Sequence, residues 1–347
     1  MPSDRCGELC SSTSRNDSRP PIPFALFFTS SSWAPVPYGR TMVDRVLVTL
    51  DGAVLDADAP LLFADDMAVL RGDGVFETVL VRGGNACALE FHLGRLRRSA
   101  QALDLPEPEL GRWREAVERA AKEWGADREG VLRMVLTRGR DSEQSAVRAD
   151  VTGGDMAPAV PTPTAFVLVL PVPARISVAR TDGVSVVTLS RGISVDLAQA
   201  APWQLLGAKT LSYATNMAAL RFAHRMGADD VIFTSTENRV LEGPRSTVVI
   251  ARDKTLITPP AKNGVLPGVT QRALFVEAEK AGWQCRYDSL FTADLLTCDS
   301  IWMLSSIALA ARVNSLDGLR MSAPDNAGEI IELVDRGVAR AGAVGDW

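Results

Sequence analysis

Histidine is scarce in this chain, which has only His92 and His224 among its 347 residues. Histidine-rich zinc centres and Ser/His/Asp hydrolase sites therefore have little material to work with, and we expect both histidines to be structural. The five cysteines are an odd number, are scattered, and include no C-x-x-C pair of the kind that binds a metal. This use of cysteine fits a reducing compartment, so we expect a cytoplasmic protein without a metal centre.

Long apolar runs and blocks of like charge are also missing. No stretch approaches the roughly 18 uninterrupted apolar residues that span a bilayer. The formal net charge is −5 with both signs interspersed, so no basic patch indicates a nucleic acid or a membrane surface as a partner. Hydrophobic residues make up 46% of the chain and charged residues 23%, which is typical of a globular protein. We therefore expect a small-molecule ligand.

Composition divides the chain into segments. Residues 1–41 are rich in Ser, Pro and Arg and show no helical or strand period, so we expect an extension outside the folded part, which would start at Met42. A smaller domain is predicted over 42–172 and a larger one over 173–340, joined at Pro171-Val172-Pro173.

Hydrophobic periodicity predicts an α+β protein. Apolar runs predict strands at 75–81, 131–137, 164–170, 184–189, 231–234, 247–251 and 301–304. Helical spacing predicts helices at 89–103, after Lys209 and after Thr270. Residues 139–163 are polar and without a period, and we expect them to form a loop that could gate a substrate site.

Lys209 lies in the segment Gly207-Ala208-Lys209-Thr210-Leu211-Ser212-Tyr213, and two later segments complement it. They are Leu241-Glu242-Gly243 and Leu266-Pro267-Gly268-Val269-Thr270. A lysine can form a Schiff base with an aldehyde cofactor, a carboxylate can keep a pyridine nitrogen protonated, and a glycine before a helix can receive a phosphate. A surface lysine on a helix is the simpler interpretation of Lys209 alone. The three segments together favour an enzyme that uses pyridoxal 5′-phosphate (PLP).

Five motifs follow one another along the chain. They are Arg71-Gly72-Asp73-Gly74-Val75-Phe76-Glu77-Thr78, His92-Leu93-Gly94-Arg95-Leu96, Gly207-Ala208-Lys209, Glu242-Gly243 and Pro267-Gly268-Val269-Thr270. In this order they resemble the motifs of the fold-type IV PLP enzymes, a family that holds aminodeoxychorismate lyases, D-amino acid aminotransferases and branched-chain aminotransferases. The resemblance covers about residues 43 to 325. It implies a two-domain α+β fold like that of the D-amino acid aminotransferases, and a homodimer, because sites in this family are shared between subunits.

The resemblance also implies roles for three residues. Lys209 is expected to bind PLP covalently and, once the substrate amine has displaced it, to move a proton at the reacting carbon. Glu242 resembles the carboxylate that pairs with the ring nitrogen of the cofactor and keeps it protonated. Tyr213 is expected to contact the phenolic oxygen of the cofactor, with a core tyrosine as the alternative.

The cofactor phosphate is expected at Gly268-Val269-Thr270, where backbone amides and a hydroxyl meet the start of a helix. Arg95 resembles the family arginine that reaches the same phosphate. Ser305 and Ser306 resemble a pair of hydroxyl groups near it. A solvated helix arginine and buried turn serines are the plainer alternatives.

Residues around the motifs bear on the reaction. Glu77 is followed by Thr78, whereas branched-chain aminotransferases typically have Gly at that position. The Arg-x-His pair with which D-amino acid aminotransferases bind a substrate carboxylate is missing after Thr137-Arg138-Gly139. The chain therefore most resembles the aminodeoxychorismate lyases, which convert 4-amino-4-deoxychorismate to 4-aminobenzoate and pyruvate in folate biosynthesis.

Alternatives stay open at this point. Arg138 could hold a substrate carboxylate bidentately, or it could be a surface arginine at a strand end. D-amino acid and branched-chain aminotransferase activities are the alternative reactions. A non-catalytic protein that retains the fold is a further alternative, but the presence of Lys209 and Glu242 argues against it.

Overall fold

The computed structural model describes residues 45–143 and 162–340. In chain order its strands are β1 (Val46–Thr49), β2 (Val54–Leu55), β3 (Gly74–Arg82), β4 (Asn85–Ala86), β5 (Gly130–Thr137), β6 (Ala165–Pro171), β7 (Val184–Ser190), β8 (Asp230–Thr234), β9 (Thr247–Arg252), β10 (Thr255–Thr258), β11 (Gln284–Tyr287), β12 (Ser300–Ser305), β13 (Leu309–Leu316) and β14 (Leu319–Arg320). Its α-helices are α1 (Met67–Arg71), α2 (Leu89–Ala102), α3 (Leu110–Trp124), α4 (Arg175–Thr181), α5 (Leu197–Ala200), α6 (Ala214–Arg225), α7 (Val269–Lys280), α8 (Thr292–Thr297) and α9 (Ala327–Arg340). Short 3-10 helices lie at Pro202–Gln204 and Ala261–Asn263.

The strands up to Pro171 form a six-stranded antiparallel sheet in the order β2-β1-β6-β5-β3-β4. Side chains of a strand point alternately to its two faces, so every second residue of a strand faces the same side of the sheet. Helices α2 and α3 cover one face, where Leu93 and Trp113 are buried against Val75 and Val79 of β3. This helical layer is the core of the first half of the molecule.

The opposite face of the first sheet is only partly covered. It carries Phe76 and Thr78 of β3, which pair in register with Val135 and Arg133 of β5. Arg133 is exposed, whereas the other three are half-buried. This face of the sheet is therefore accessible to a ligand or to another chain.

The strands from Val184 onward form an eight-stranded sheet whose path is β11-β10-β9-β12-β13-β7-β8, with β14 paired to β13. The pairs β7–β8, β7–β13 and β10–β11 are parallel, and the others are antiparallel. Helices α7 and α9 cover one face and approach each other closely. A Cβ at Gly337 would lie only 2.4 Å from the carbonyl oxygen of Ala273, so this contact requires glycine.

Helix α2 joins the two halves. Phe91 of α2 and Leu80 of β3 belong to the same buried cluster as Trp302 of β12 and the apolar side of α7. Arg95, one turn further along α2, donates from Nη1 to the carbonyl oxygen of Pro267 at 2.9 Å. The start of α7 thus lies beside α2, and motifs that are far apart in the sequence meet here.

Two sheets with flanking helices confirm the predicted α+β class. The predicted strands and the helix at 89–103 are present with nearly the predicted bounds. The helix expected after Thr270 begins at Val269, which places Thr270 in its first turn. The helix after Lys209 starts later than expected, as described below.

Other expectations have different outcomes. The predicted boundary at 172–173 falls between the last strand of the first sheet and the first strand of the second, and the division into two folding units stays a prediction. The expected extension over 1–41 and most of the loop over 139–163 lie outside the described residues. Within residues 45–143 and 162–340, every helix is too short or too polar to cross a membrane.

Candidate active site

Lys209 is held in an extended segment that pairs with β3. Its carbonyl oxygen accepts a hydrogen bond from the backbone N–H of Phe76 at 3.1 Å. Its own N–H donates to Oγ of Ser99 on α2 at 3.0 Å. The helix predicted after Lys209 is present as α6, but it begins only at Ala214, so Lys209 does not lead directly into it. The lysine is instead fixed by the first sheet and its covering helix.

The side chain of Lys209 is buried beside two aromatic rings. Nζ lies 4.5 Å from the ring centroid of Phe76 and 5.6 Å from that of Tyr213. None of the described residues accepts a hydrogen bond from it. Burial, and next the positive charge of Arg95, lower the pKa of Lys209 from the ordinary lysine value of 10.5 to about 8. A much larger fraction of this amine is therefore neutral and nucleophilic near neutral pH than of a surface lysine.

Glu242 lies after β8 and is held from two sides. Nη1 of Arg191 donates to its Oε1 at 3.1 Å, and the N–H of Leu266 donates to its Oε2 at 2.9 Å. Burial raises the pKa of Glu242 despite the opposing charge of Arg191. Each oxygen has a lone pair left, and a cationic ring nitrogen would offset the cost of burying the carboxylate. Arg191 was missed in the sequence, where no motif distinguishes it from other arginines.

The turn before α7 has the character of an anion site. Gly268 is the N-cap residue of this helix, and no side chain caps the first-turn N–H groups. Unpaired N–H groups and the helix dipole favour an anion at this position. Thr270 is buried in the same turn, and Arg95 reaches the turn through the carbonyl oxygen of Pro267. The structure thus brings together Arg95 and the predicted phosphate segment.

Two positions near the site require glycine, because a side chain there would collide with neighbouring side chains. A Cβ at Gly268 would lie 2.2 Å from Oγ1 of Thr247, and a Cβ at Gly243 would lie 2.3 Å from Oγ of Ser246. The hydroxyl of Ser246 is buried and has no hydrogen-bond partner among the described residues. Such unpaired buried groups are rare in proteins unless a ligand or water completes them. With the unpaired amine of Lys209, these features fit PLP bound between Lys209, Glu242 and the turn.

Glu77 is the centre of a buried polar network that sequence reasoning missed. Arg95 donates to both of its carboxylate oxygens at 2.7 Å, and Nδ1 of His92 lies 2.7 Å from Oε2. Burial would raise the pKa of Glu77, but Arg95 and then His92 hold it well below its usual range. Its position inside the Phe76-Glu77-Thr78 motif was the available signal. Glu77 therefore stays ionised and orients Arg95 toward the turn before α7.

The predicted serines and tyrosine lie at the edge of this network. Oγ of Ser306 lies 3.4 Å from Nε2 of His92, and Oγ of Ser305 accepts from the N–H of Ala308 at 3.1 Å. Tyr213 packs edge-on against Phe76, with ring centroids 5.4 Å apart. Its hydroxyl donates to the carbonyl oxygen of Pro244 at 2.6 Å. Contact of these three residues with the cofactor stays a prediction.

Arg138 has a different environment from the one predicted. Its guanidinium donates to both carboxylate oxygens of Asp73, at 2.8 and 3.2 Å. It also donates to the carbonyl oxygens of Leu103, at 2.6 Å, and Asp104, at 3.2 Å, just beyond the end of α2. A substrate carboxylate would have to displace these contacts. The geometry favours the alternative, a structural arginine at a strand end, and substrate binding by Arg138 stays a prediction.

Arg133 is a second arginine that the sequence analysis did not single out. It lies opposite Thr78 in the sheet, on the same face as Phe76, and its charge contributes to lowering the pKa of Lys209. It has no hydrogen-bond or ion-pair partner among the described residues. A lone arginine in an apolar strand was the signal that could have identified it. An exposed cation near Lys209 is well placed to attract an anionic substrate.

Comparison with known proteins shows which family the chain is similar to. The family model for aminotransferases of class IV matches residues 74–316, a span that includes Phe76, Lys209 and Ser306. A bifunctional aminodeoxychorismate lyase / D-amino acid transaminase of Mycobacterium tuberculosis is 51% identical over 302 residues, which are 84% of this chain and 99% of that protein.

Solved structures show the same fold. A hypothetical aminotransferase from Mycobacterium tuberculosis, in a form with α-ketoglutarate and PMP bound, is 52% identical with a TM-score of 0.78, and the match covers 85% of this chain and 99% of the other. A fold IV transaminase from Curtobacterium pusillum is 36% identical with a TM-score of 0.76, and the match covers 86% and 98% of the two chains.

Proposed function

The chain belongs to the class IV aminotransferases, a family of PLP-dependent enzymes, and we propose that it is an aminodeoxychorismate lyase that also transaminates D-amino acids. The observation that carries the choice of reactions is the 51% identity to the bifunctional Mycobacterium tuberculosis enzyme over 99% of that protein. The lyase converts 4-amino-4-deoxychorismate to 4-aminobenzoate and pyruvate. Its product would enter folate biosynthesis.

The residues divide the work of holding PLP. Lys209 would bind its aldehyde carbon and Glu242 its ring nitrogen. The turn at Gly268-Val269-Thr270, with Arg95 and Ser306, would hold its phosphate. When bound, the cofactor supplies an electron sink that makes a bond at the amino-bearing carbon of the substrate easier to break.

Lys209 supplies the base. Its amine lies in a buried site, and burial lowers the pKa of the free amine to about 8. It can therefore accept a proton from the reacting carbon and return it at a later step. The rings of Phe76 and Tyr213 exclude water on one side of the amine, since their centroids lie 4.5 and 5.6 Å from Nζ.

Glu242 and its neighbours would hold a fixed negative charge beside the ring nitrogen of the cofactor. Arg191 and the N–H of Leu266 fix the carboxylate in one orientation. A carboxylate held in this way keeps a facing ring nitrogen protonated, because separating the two charges would leave a buried anion unpaired. Glu242 thus acts mainly on the charge that develops during the reaction.

Arg133 supports the preference for a substrate with two carboxylates. It lies on the open face of the first sheet beside Phe76, near Lys209 but not paired with any described acid. A guanidinium of this kind can bind a carboxylate with two hydrogen bonds. We assign it the carboxylate that is remote from the reacting amine, and Phe76 the apolar ring face.

A homodimer in the cytoplasm is part of the proposal. Several large apolar side chains are exposed, among them Phe63 at 58%, Val69 at 58%, Leu70 at 51% and Trp203 at 73%. Apolar surface of this kind is commonly covered by a partner, and a second copy of this chain would cover it.

The test uses purified holoenzyme and two assays. One follows 4-aminobenzoate and pyruvate formed from aminodeoxychorismate, and the other follows pyruvate and D-glutamate formed from D-alanine and 2-oxoglutarate. We expect both activities, with the higher kcat/KM for aminodeoxychorismate, and no comparable transfer from L-leucine. Lys209→Arg, which stays cationic but cannot form a Schiff base, is the inactive control. A higher kcat/KM for D-alanine would reverse the order of the two activities, and transfer from L-leucine alone would replace the proposal with a branched-chain aminotransferase.

A further inference from the structure

Glu77, His92 and Ser306 form a line of hydrogen-bonding groups from β3 to the end of β12. Nδ1 of His92 lies 2.7 Å from Oε2 of Glu77, and its Nε2 lies 3.4 Å from Oγ of Ser306. The His92 and Glu77 side chains are 1% and 0% exposed. An ionised carboxylate can only accept hydrogen bonds, so Nδ1 of His92 must carry a proton and donate a hydrogen bond to Glu77.

The other ring nitrogen of His92 is then an acceptor. Burial lowers the pKa of His92 below that of an ordinary histidine, although Glu77 acts in the opposite direction. In the neutral ring with Nδ1 protonated, Nε2 has a lone pair and no proton. The hydroxyl of Ser306 must therefore donate to Nε2. Its single proton is in use, and it has only lone pairs to offer to any other neighbour.

A small cavity connects this hydroxyl with the phosphate turn. The cavity has a volume of about 10 Å³, and His92, Ser306, Thr270 and Cys87 are among the residues that line it. That is about the space of one water molecule. Ser306 and the first turn of α7 thus lie on either side of a gap that is too small for a phosphate, and this places Ser306 close to the turn at which the phosphate is expected.

A phosphate dianion has only acceptors, so it gains nothing from a hydroxyl that has already given away its proton. We propose that His92 is a positioning residue whose Nε2 takes up a proton from solution when the PLP phosphate binds, so that Ser306 turns its hydroxyl from His92 to the phosphate. His92 then donates from Nε2 to Oγ of Ser306 and from Nδ1 to Glu77. This inference rests on the proposed PLP-dependent function.

The charges around His92 are consistent with this exchange. The titratable groups that face it are Glu77 from β3, Arg95 from its own helix, Lys209 from the segment that pairs with β3, and Cys87 across the small cavity. Without phosphate, the ion pair of Glu77 and Arg95 is balanced, and a charged His92 beside Arg95 and Lys209 would be unfavourable. A phosphate in the turn adds negative charge to the same cluster and makes the imidazolium favourable.

Nuclear magnetic resonance of ¹⁵N-labelled histidine provides the test. His224 is exposed, so His224→Gln leaves His92 as the single signal without touching the site. In the apoprotein at neutral pH we expect the shifts of a neutral ring protonated at Nδ1. Saturation with PLP should convert them to those of an imidazolium, with a titration midpoint raised by about one pH unit or more.

Pyridoxal, which has the aldehyde but no phosphate, is the matched control. It can react with Lys209, yet it should leave His92 neutral. Ser306→Ala should give a clearly smaller rise of the His92 titration midpoint in the presence of PLP, because a protonated Nε2 then has no hydroxyl oxygen to donate to. The comparison of PLP with pyridoxal uses the unchanged site, so it remains decisive should Ser306→Ala not fold.

The contrary results are equally clear. The inference is overturned if His92 stays neutral with PLP bound, or if pyridoxal or the Ser306→Ala protein gives the same charged ring. These results would leave the proposed enzyme activity intact, because PLP binding is followed separately by absorbance. Absence of any PLP binding would instead overturn both.

Discussion

Arg95 donates from Nε and Nη2 to the two carboxylate oxygens of Glu77 at 2.7 Å, and the two side chains are 6% and 0% exposed. A buried bidentate pair fixes the plane of the guanidinium group, because both partners would lose paired charges if it turned. Nη1 is the remaining donor, and it points to the carbonyl oxygen of Pro267. The orientation of Arg95 at the phosphate turn is therefore set by β3.

Glu77→Gln should weaken both the fold and the hold on PLP. It leaves the buried charge of Arg95 without its counter-charge, which costs about 3 kcal/mol or more of unfolding free energy. Urea unfolding measures this cost, and fluorescence titration measures PLP affinity, which should fall at least about tenfold. Glu129→Gln is the control, since Glu129 pairs with Arg82 and Arg180 elsewhere in the protein. Equal effects of the two variants on PLP affinity would contradict the role of Glu77.

Lys209 should be the residue that binds PLP covalently. Borohydride added to the yellow holoenzyme should fix a pyridoxyl group on Lys209, and peptide mass spectrometry should find it there and on no other lysine. Lys209→Ala should still fold and bind PLP weakly, but turnover should fall by many orders of magnitude, since anchor and base are lost together. An adduct on another lysine would remove the basis of the assigned site.

The pH dependence of PLP capture should report the lowered pKa of Lys209. Only the neutral amine reacts, so the rate constant for reconstituting the apoenzyme should rise about tenfold per pH unit up to pH about 8 and then level off. A small lysine compound provides the comparison, because its rate should keep rising to pH about 10. A profile that parallels this compound would mean that the amine is not perturbed by burial.

Glu242→Gln should separate catalysis from binding. The amide keeps the shape of the side chain but removes the charge that keeps a ring nitrogen protonated. Turnover should drop by more than about a hundredfold while PLP affinity changes less, as expected for a group that acts on the transition state. Glu237→Gln, an exposed change in the same hairpin, should leave both quantities unchanged. Near-normal turnover of Glu242→Gln would rule out the assigned role.

Arg133 and Arg138 should have different roles, the first in substrate binding and the second in stability. Arg133→Ala should raise KM for aminodeoxychorismate by about tenfold or more with little effect on stability. Arg138→Ala should instead lower the free energy of unfolding by about 1 to 3 kcal/mol, because Asp73 and the carbonyl groups of Leu103 and Asp104 lose their donor. Steady-state kinetics and urea unfolding of both variants decide. The reverse pattern would restore Arg138 as the group that binds the substrate carboxylate.

The elements that the sequence predicted have strong local signals. Strands β3 and β5 are apolar runs that end at turn residues, and α2 shows helical spacing. Strands β10 and β11 were not predicted, since they are short and partly exposed and hold too few apolar residues to show a period. Helix α3 is different, because its buried positions, from Trp113 to Trp124, follow a helical period that is visible in the sequence.

The site shows a similar division. The motifs around Lys209, Glu242 and Gly268 identified the family because their residue types and order are constrained by the cofactor. The surroundings of these residues depend on contacts between distant parts of the chain. Arg133 comes near Lys209 only through the register that pairs it with Thr78, and neither distance nor register is encoded locally. The same reason explains why the contacts of Arg138 with Asp73 could not be foreseen.

Lys209 and Glu242 belong to different halves of the molecule. The lysine is held by Phe76 of the first sheet and by Ser99 of α2, which covers that sheet, whereas the glutamate and the turn before α7 belong to the second half. A cofactor bound by residues of both halves links them, and its binding free energy then opposes movement of one half relative to the other. A substrate amine that displaces Lys209 would break the link between the cofactor and the first half. Loosening of the two halves would then accompany the arrival of substrate.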